Sequence, residues 1–144
     1  MAHALRYPAG RYQPAPLPDL NSRDVRARLS APALRTFLTI MTRWKVKDED
    51  ARALLGGVSN GPYYEMKRDP DRRLDTDRLM RVSYIIGIYK ALHILHGDTL
   101  ADQWVYLSNR NPIFAGETPM AYMIRGGLPA MQTVRRLLDA RRPG

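Results

Sequence analysis

The sequence contains no cysteine. That removes disulfides, thiolate zinc sites, iron–sulfur clusters and cysteine nucleophiles together, and it suits the reducing cytoplasm in which the chain is expected to work. No apolar run approaches the roughly 20 residues that a membrane-spanning helix needs, so no membrane partner is expected. The opening stretch MAHALRYPAGRYQPAPLP lacks the apolar core of a secretory signal. No strand-like alternation of useful length occurs. Reactive chemistry is equally sparse. Ser, Tyr and carboxylates are present, but no nucleophile–base–orienter set is visible among them. GGVSNG, residues 56–61, lacks the Lys and Ser/Thr that complete a phosphate loop. His93 and His96 have the i, i+3 spacing that lets two ligands share a helix face, yet no third ligand accompanies them. They read as core-edge residues with a backbone partner. The expectation is a non-catalytic protein that needs no cofactor and no metal.

What the chain does hold is positive charge and enough apolar matter for one core. It has 144 residues, 44% of them apolar, and a formal net charge of +9. One modest domain is the default at this length. The excess charge points to nucleic acid, an anionic surface or an acidic partner. It is unevenly spread: residues 1–47 hold nine Lys/Arg against two acids, residues 48–97 eight of each, and residues 98–144 six against four.

Residues 1–33 read as a flexible, basic, Pro-rich arm. Four prolines fall within Pro8–Pro18, interleaved with Arg6, Tyr7, Arg11 and Tyr12, and proline fixes φ and removes amide donors. The arm is either simply solvated or a phosphate contact. From Leu34 the pattern turns helical, with Phe37, Leu38, Met41 and Trp44 at spacings of three and four. Asp48 is the expected N-cap of a short helix over 49–55, stopped by Gly56 and Gly57. Ser59 is the expected N-cap of a second, over 60–68. Asp75 or Thr76 should start the longest helix, which runs to about His96. From Val82 to Leu95 it is apolar nearly all round, which predicts a central position. Asp98 should cap a helix containing Leu100, Trp104 and Leu107. A loop over 109–116 follows, then a short helix opened by Thr118-Pro119 and ended by Gly126-Gly127, and a last helix opened by Pro129. The fold class predicted is all-α, a helical bundle.

Residues 48–69, DEDARALLGGVSNGPYYEMKRD, have the layout of a DNA-binding helix-turn-helix: a capped short helix, a Gly-containing turn plugged by Val58, then a second short helix. The second helix would present Asn60, Tyr63, Tyr64 and Lys67 to a major groove, although the two tyrosines equally well pack inward. Asn can read adenine, while Lys67 and Arg68 can hold guanine or phosphate. Ser59 and the free amides beside it can hold a phosphate at the helix end. Glu65, Asp69 and Asp71 would repel it.

The stretch 54–140 then adds Trp104, Asn111-Pro112, Phe114, Gly116, Thr118-Pro119, Gly126-Gly127, Val134 and Leu137-Leu138 in that order. A helix-turn-helix, a long central helix, an Asn-Pro loop, a Pro-initiated short helix, a Gly pair and a final helix together resemble the Xre/MbcA/ParS-like type II antitoxin family. The resemblance covers roughly residues 34–142. It implies a helix-turn-helix region over 34–97 and a toxin-binding C-terminal domain over 98–144. It also implies a partner: a RES-domain toxin that consumes NAD or transfers ADP-ribose, neutralised when the C-terminal domain and tail cover its cleft. Repression of the protein's own operon through operator DNA is implied as well, and a homodimer within a hetero-oligomer is expected from the pairing of such readers on half-sites.

Beside the resemblance stands the physical reading of the same residues. Asn111, Pro112 and Gly116 fix a turn and preorganise a surface. Ile113 and Phe114 are candidate apolar anchors for the toxin, or else they close the core beneath a loop. Arg135, Arg136, Arg141 and Arg142 give the last helix a cationic face, and Pro143 and Gly144 complete the tail. Two other readings remain open at this level: a stand-alone helix-turn-helix repressor whose C-terminal part only dimerises, and a protein–protein adaptor without DNA function.

Overall fold

The computed structural model describes residues 18–141. Among them are six α-helices, two 3₁₀ turns and no strand. The all-α expectation therefore holds. The helices are α1 Arg23–Arg43, α2 Asp48–Leu54, α3 Asn60–Arg68, α4 Thr76–Leu95, α5 Asp98–Gln103 and α6 Pro119–Arg141. The 3₁₀ turns, Trp104–Tyr106 and Pro112–Phe114, lie between α5 and α6. No described helix is long and apolar enough to cross a membrane.

The first helix corrects the sequence reading. The expected arm covers 1–33, of which 1–17 lie outside the described residues, but α1 begins at Arg23 rather than Leu34. Ser22 explains the early start: its hydroxyl accepts the Val25 N–H, satisfying a first-turn donor. Pro32 lies inside α1 with its ring exposed, and it leaves the Arg28 carbonyl without its i+4 amide donor. The helix closes where Lys45 takes a left-handed backbone, φ 56°, and the amides of Lys45 and Val46 donate to the carbonyls of Thr42 and Met41. That bonding pattern usually employs glycine.

Ser30 is the single buried polar side chain among the described residues, and it ties α1 to the α3–α4 connection. Its hydroxyl donates to the Arg26 carbonyl at 2.6 Å and accepts the Leu74 N–H at 2.8 Å. Ser30→Ala leaves that buried amide without an acceptor. The variant is expected to lose about 2 kcal/mol of stability, read as a lower urea midpoint with an unchanged denaturant slope.

The central position of α4 is as predicted: it packs against α1, α5 and α6 and buries Leu79, Val82, Ile85, Ile88, Ala91 and Leu92. It is not the longest helix, since α1 has 21 residues and α6 23, against 20 for α4. The cap assignments shift by one residue in two places. Lys47, not Asp48, caps α2, and Gly97, not Asp98, caps α5. The acids sit just inside, where they still face the positive helix end. The expected break near 126–127 is present as a kink in α6, at Gly127 with φ 66° and ψ −147°.

One hydrophobic cluster runs from Leu34 on α1 to Leu138 on α6. Residues 34–97 and 98–138 thus share a core, because α6 folds back over α4 and α2. At the α4–α6 crossing, Gly87 lets the Arg135 guanidinium lie against the α4 backbone; a Cβ there would stand 1.6 Å from Arg135 Nη1.

Candidate nucleic-acid and protein interfaces

The α2–turn–α3 unit is built as its sequence suggests. Leu54, Leu55 and Val58 are buried, and Gly56 and Gly57, both at φ 93°, turn the chain between the helices. The candidate readers on α3 then separate into two groups. Ser59, Asn60, Tyr64, Lys67 and Arg68 are exposed. Tyr63 is 2% exposed and belongs to the core, so it cannot reach a base. Burial first, and the Asp48 carboxylate second, push its phenol up to about 12. The reason is helical phase: Tyr63 and Met66 share the inner face of α3, and Tyr64 falls on the outer one.

The two cations of α3 are already engaged. Lys67 Nζ lies 3.0 Å from Asp48 Oδ2 and 5.5 Å from the centre of the Tyr63 ring. Arg68 pairs with Glu65 at 2.5 Å. Exposed pairs of this kind are weak, yet they place an acid next to each cation that was expected to hold phosphate. Ser59 occupies the cap position of α3, but its hydroxyl makes no capping bond.

At the other end, Asn111 organises the expected loop into a 3₁₀ turn. Its side chain accepts the Ile113 N–H at 3.1 Å, and Pro112 opens the turn. Ala115 and Gly116 leave it through left-handed backbone. Thr118 caps α6 by accepting the Ala121 N–H. Next to it, Arg125 binds Glu117 and holds its carboxyl below the usual range.

The two candidate anchors divide as well. Phe114 is fully buried, edge-on to Trp104 at 6.1 Å and to Tyr122 at 5.2 Å, so it closes the core and anchors no partner. Ile113, its neighbour in the turn, is 36% exposed. The expected Arg face is also redistributed. Arg135 is drawn against α4 and donates to Asp139 at 2.9 Å. Arg136 and Arg141 are exposed, while Arg142, Pro143 and Gly144 lie outside the described residues. His93, expected to have a backbone partner, instead places its two ring nitrogens 3.0 and 2.9 Å from Asp98 and Asp102, pinning the end of α4 to α5.

Apart from Tyr64 and Ile113, the sequence reading missed the exposed apolar residues. Among the described residues the large exposed hydrophobics are Tyr64, Ile94, Leu100, Tyr106, Leu107 and Ile113, so all but Tyr64 fall between Ile94 and Ile113. Leu100 and Leu107 were expected on one helix with Trp104. In the structure Ala101 is the buried residue of α5, the helix gives way to a 3₁₀ turn at Trp104, and within that turn Trp104 and Val105 point inside, so Leu100 and Leu107 stay exposed.

No family model matches the chain, and no solved structure matches it. The protein y4oB of Sinorhizobium fredii is 32% identical over 128 residues, which cover 88% of this chain and 93% of y4oB. The chain belongs to the y4oB family. Because the match takes in nearly the whole of both proteins, the y4oB family spans both candidate interfaces, the α2–α3 unit and the segment from Ile94 to Ile113.

Proposed function

We propose that this member of the y4oB family is a non-catalytic inhibitor protein: the antitoxin of a type II pair, which binds and blocks a RES-domain toxin and represses its own operon. The observation that carries the reading is the concentration of exposed large apolar side chains between Ile94 and Ile113. Exposed large apolar side chains concentrated in one stretch of chain are candidate anchors for a protein contact. The Asn111–Pro112 turn and the left-handed pair at Ala115 and Gly116 hold Ile113 in a fixed place, which lowers the ordering cost of docking. The resemblance assigns the toxin contact to this same part of the chain. The α2–turn–α3 unit, with Asn60 and Tyr64 exposed, supports the operator-binding part.

The experiment is co-expression of the tagged chain with the product of the adjacent gene, followed by capture and by an assay of NAD loss. The antitoxin reading expects a stable complex and an NAD pool protected by the chain. Ile113→Asp is expected to cut capture at least tenfold, since a hot-spot truncation is worth on the order of 2 kcal/mol, with no change in the thermal midpoint. Capture unaffected by Ile113→Asp removes the proposed contact. A chain that stays alone beside its genomic neighbour while still binding operator DNA favours the second reading, a stand-alone repressor with a C-terminal dimerisation surface; the α2–α3 turn plugged by Val58 supports that alternative equally.

A further inference from the structure

Among the described residues, a run of charge without acids lies outside the helix-turn-helix. From Val25 to Lys47 the sequence holds Arg26, Arg28, Arg35, Arg43, Lys45 and Lys47 and no Asp or Glu. Arg26 is turned to the Leu20 carbonyl and Thr76, and Arg43 lies near the Tyr89 phenol. Arg28, Arg35, Lys45 and Lys47 are exposed and belong to none of the ion pairs among the described residues.

Two of the four lie on α1 and two just past its end. Arg28 and Arg35 are seven residues apart, two helical turns, and so stand on one face of α1 about 10 Å apart. Thr42 continues the same line, and Lys45 and Lys47 follow past the helix end. Lys45 carries its charge at a left-handed position where glycine costs less. Between the cations the surface is bland. Thr36, Thr39 and Thr42 spend their hydroxyl protons on the carbonyls of Pro32, Arg35 and Leu38.

The occupant follows from what the face lacks. No large hydrophobic side chain on α1 is exposed, so the helix has nothing to insert into a lipid surface and no apolar anchor for a protein hot spot. Exposed cations outside any ion pair, on a helix without exposed apolar anchors, suit a rigid polyanion. The cations also adjoin the candidate reader: Thr42 and Val46 line one groove together with Tyr63 and Lys67 of α3 and with Asp48, whose carboxylate is taken up by Lys67.

We propose that Arg28, Arg35, Lys45 and Lys47 form the surface that takes the phosphate backbone of duplex DNA, with Lys67 and Arg68 of α3 contributing little. The inference rests on the DNA-binding part of the proposed function and adds where the electrostatic contact is made. Phosphate contacts position a protein without reading sequence. This division leaves α3 free to meet base edges with Asn60 and Tyr64 while α1 and the α1–α2 connection grip the strand.

The test measures fluorescence anisotropy of the full chain against two labelled duplexes, the region upstream of its own gene and a scrambled duplex of equal length, across a salt series. The wild type is compared with Arg28→Gln/Arg35→Gln/Lys45→Gln/Lys47→Gln and with Lys67→Gln/Arg68→Gln, all three checked for equal helicity by circular dichroism. The fourfold variant is expected to weaken both duplexes alike and to flatten the log–log salt slope by about 4, because each cation removed leaves one phosphate with its counterion. The α3 variant is expected to change the slope by less than about 1. A fourfold variant with the wild-type slope overturns the inference while leaving DNA binding in place. Wild type that binds neither duplex at low salt overturns the DNA-binding reading itself. Single-stranded RNA bound in preference to duplex, or vesicles containing phosphatidylserine bound through the same four residues, assigns these cations to another polyanion and overturns the proposal.

Discussion

Phe114→Ala is expected to lower the unfolding free energy by about 4 kcal/mol, the usual loss for a fully buried aromatic ring that leaves a cavity. Phe114 has no solvent exposure and is wedged edge-on between Trp104 and Tyr122. Its removal takes away the packing that fastens the Pro112–Phe114 turn to the start of α6. The measurement is urea unfolding followed by circular dichroism, where the midpoint should fall sharply. Partner capture should fall with it, because Ile113 is carried by the same turn. The contrast with Ile113→Asp is the informative part. The outward residue should affect capture alone, and the inward one should affect capture through stability. A Phe114→Ala protein as stable as the wild type shows that the ring does not act as a wedge.

Gly127→Ala is expected to cost about 3 kcal/mol and to loosen the second half of α6. At φ 66° and ψ −147°, Gly127 occupies a region of backbone space open almost only to glycine. Space around a Cβ at Gly127 is ordinary, but the neighbouring Gly126 has none, since a Cβ there would stand 2.6 Å from the Ala130 Cβ. The kink lets Pro119–Gly126 lie along the 3₁₀ turns while Pro129–Arg141 returns across α4. Straightening it would pull Met131, Val134 and Leu138 away from the core. Thermal unfolding of Gly127→Ala beside Gly61→Ala separates conformation from composition. Gly61 has helical backbone and open space around a Cβ, so its replacement should be neutral or stabilising by less than about 1 kcal/mol. Equal effects at the two positions would remove the case for a glycine-only kink.

Much of the architecture was legible because it rests on local signals. Gly56-Gly57, Ser59, Asp75, Thr118-Pro119 and Gly126-Gly127 mark ends of helices that the structure puts within a residue or so of their expected places. The apolar run on α4 announced a central helix for the simplest reason, that no side of it tolerates water. The beginning of α1 was missed because the Pro8–Pro18 cluster masked the cap at Ser22, a single hydroxyl several residues beyond it. The candidate sites were less legible. Tyr63 against Tyr64, and Phe114 against Ile113, are adjacent pairs of similar chemistry. Which member turns inward depends on rotation of the segment against its neighbours, and that is fixed only by packing.

Taken alone, the sequence determined an all-helical fold class, the positions of its breaks, and a front third with an excess of positive charge, because composition, capping and periodicity act over a few residues at a time. Only the tertiary structure decided which cations are neutralised and which are free. It matched Lys67 to Asp48 across nineteen residues of chain and folded Arg135 onto Gly87. It also left Arg28, Arg35, Lys45 and Lys47 facing solvent. Charge pairing and burial depend on distances in space, which are settled when α1, α4 and α6 close around one core and not before.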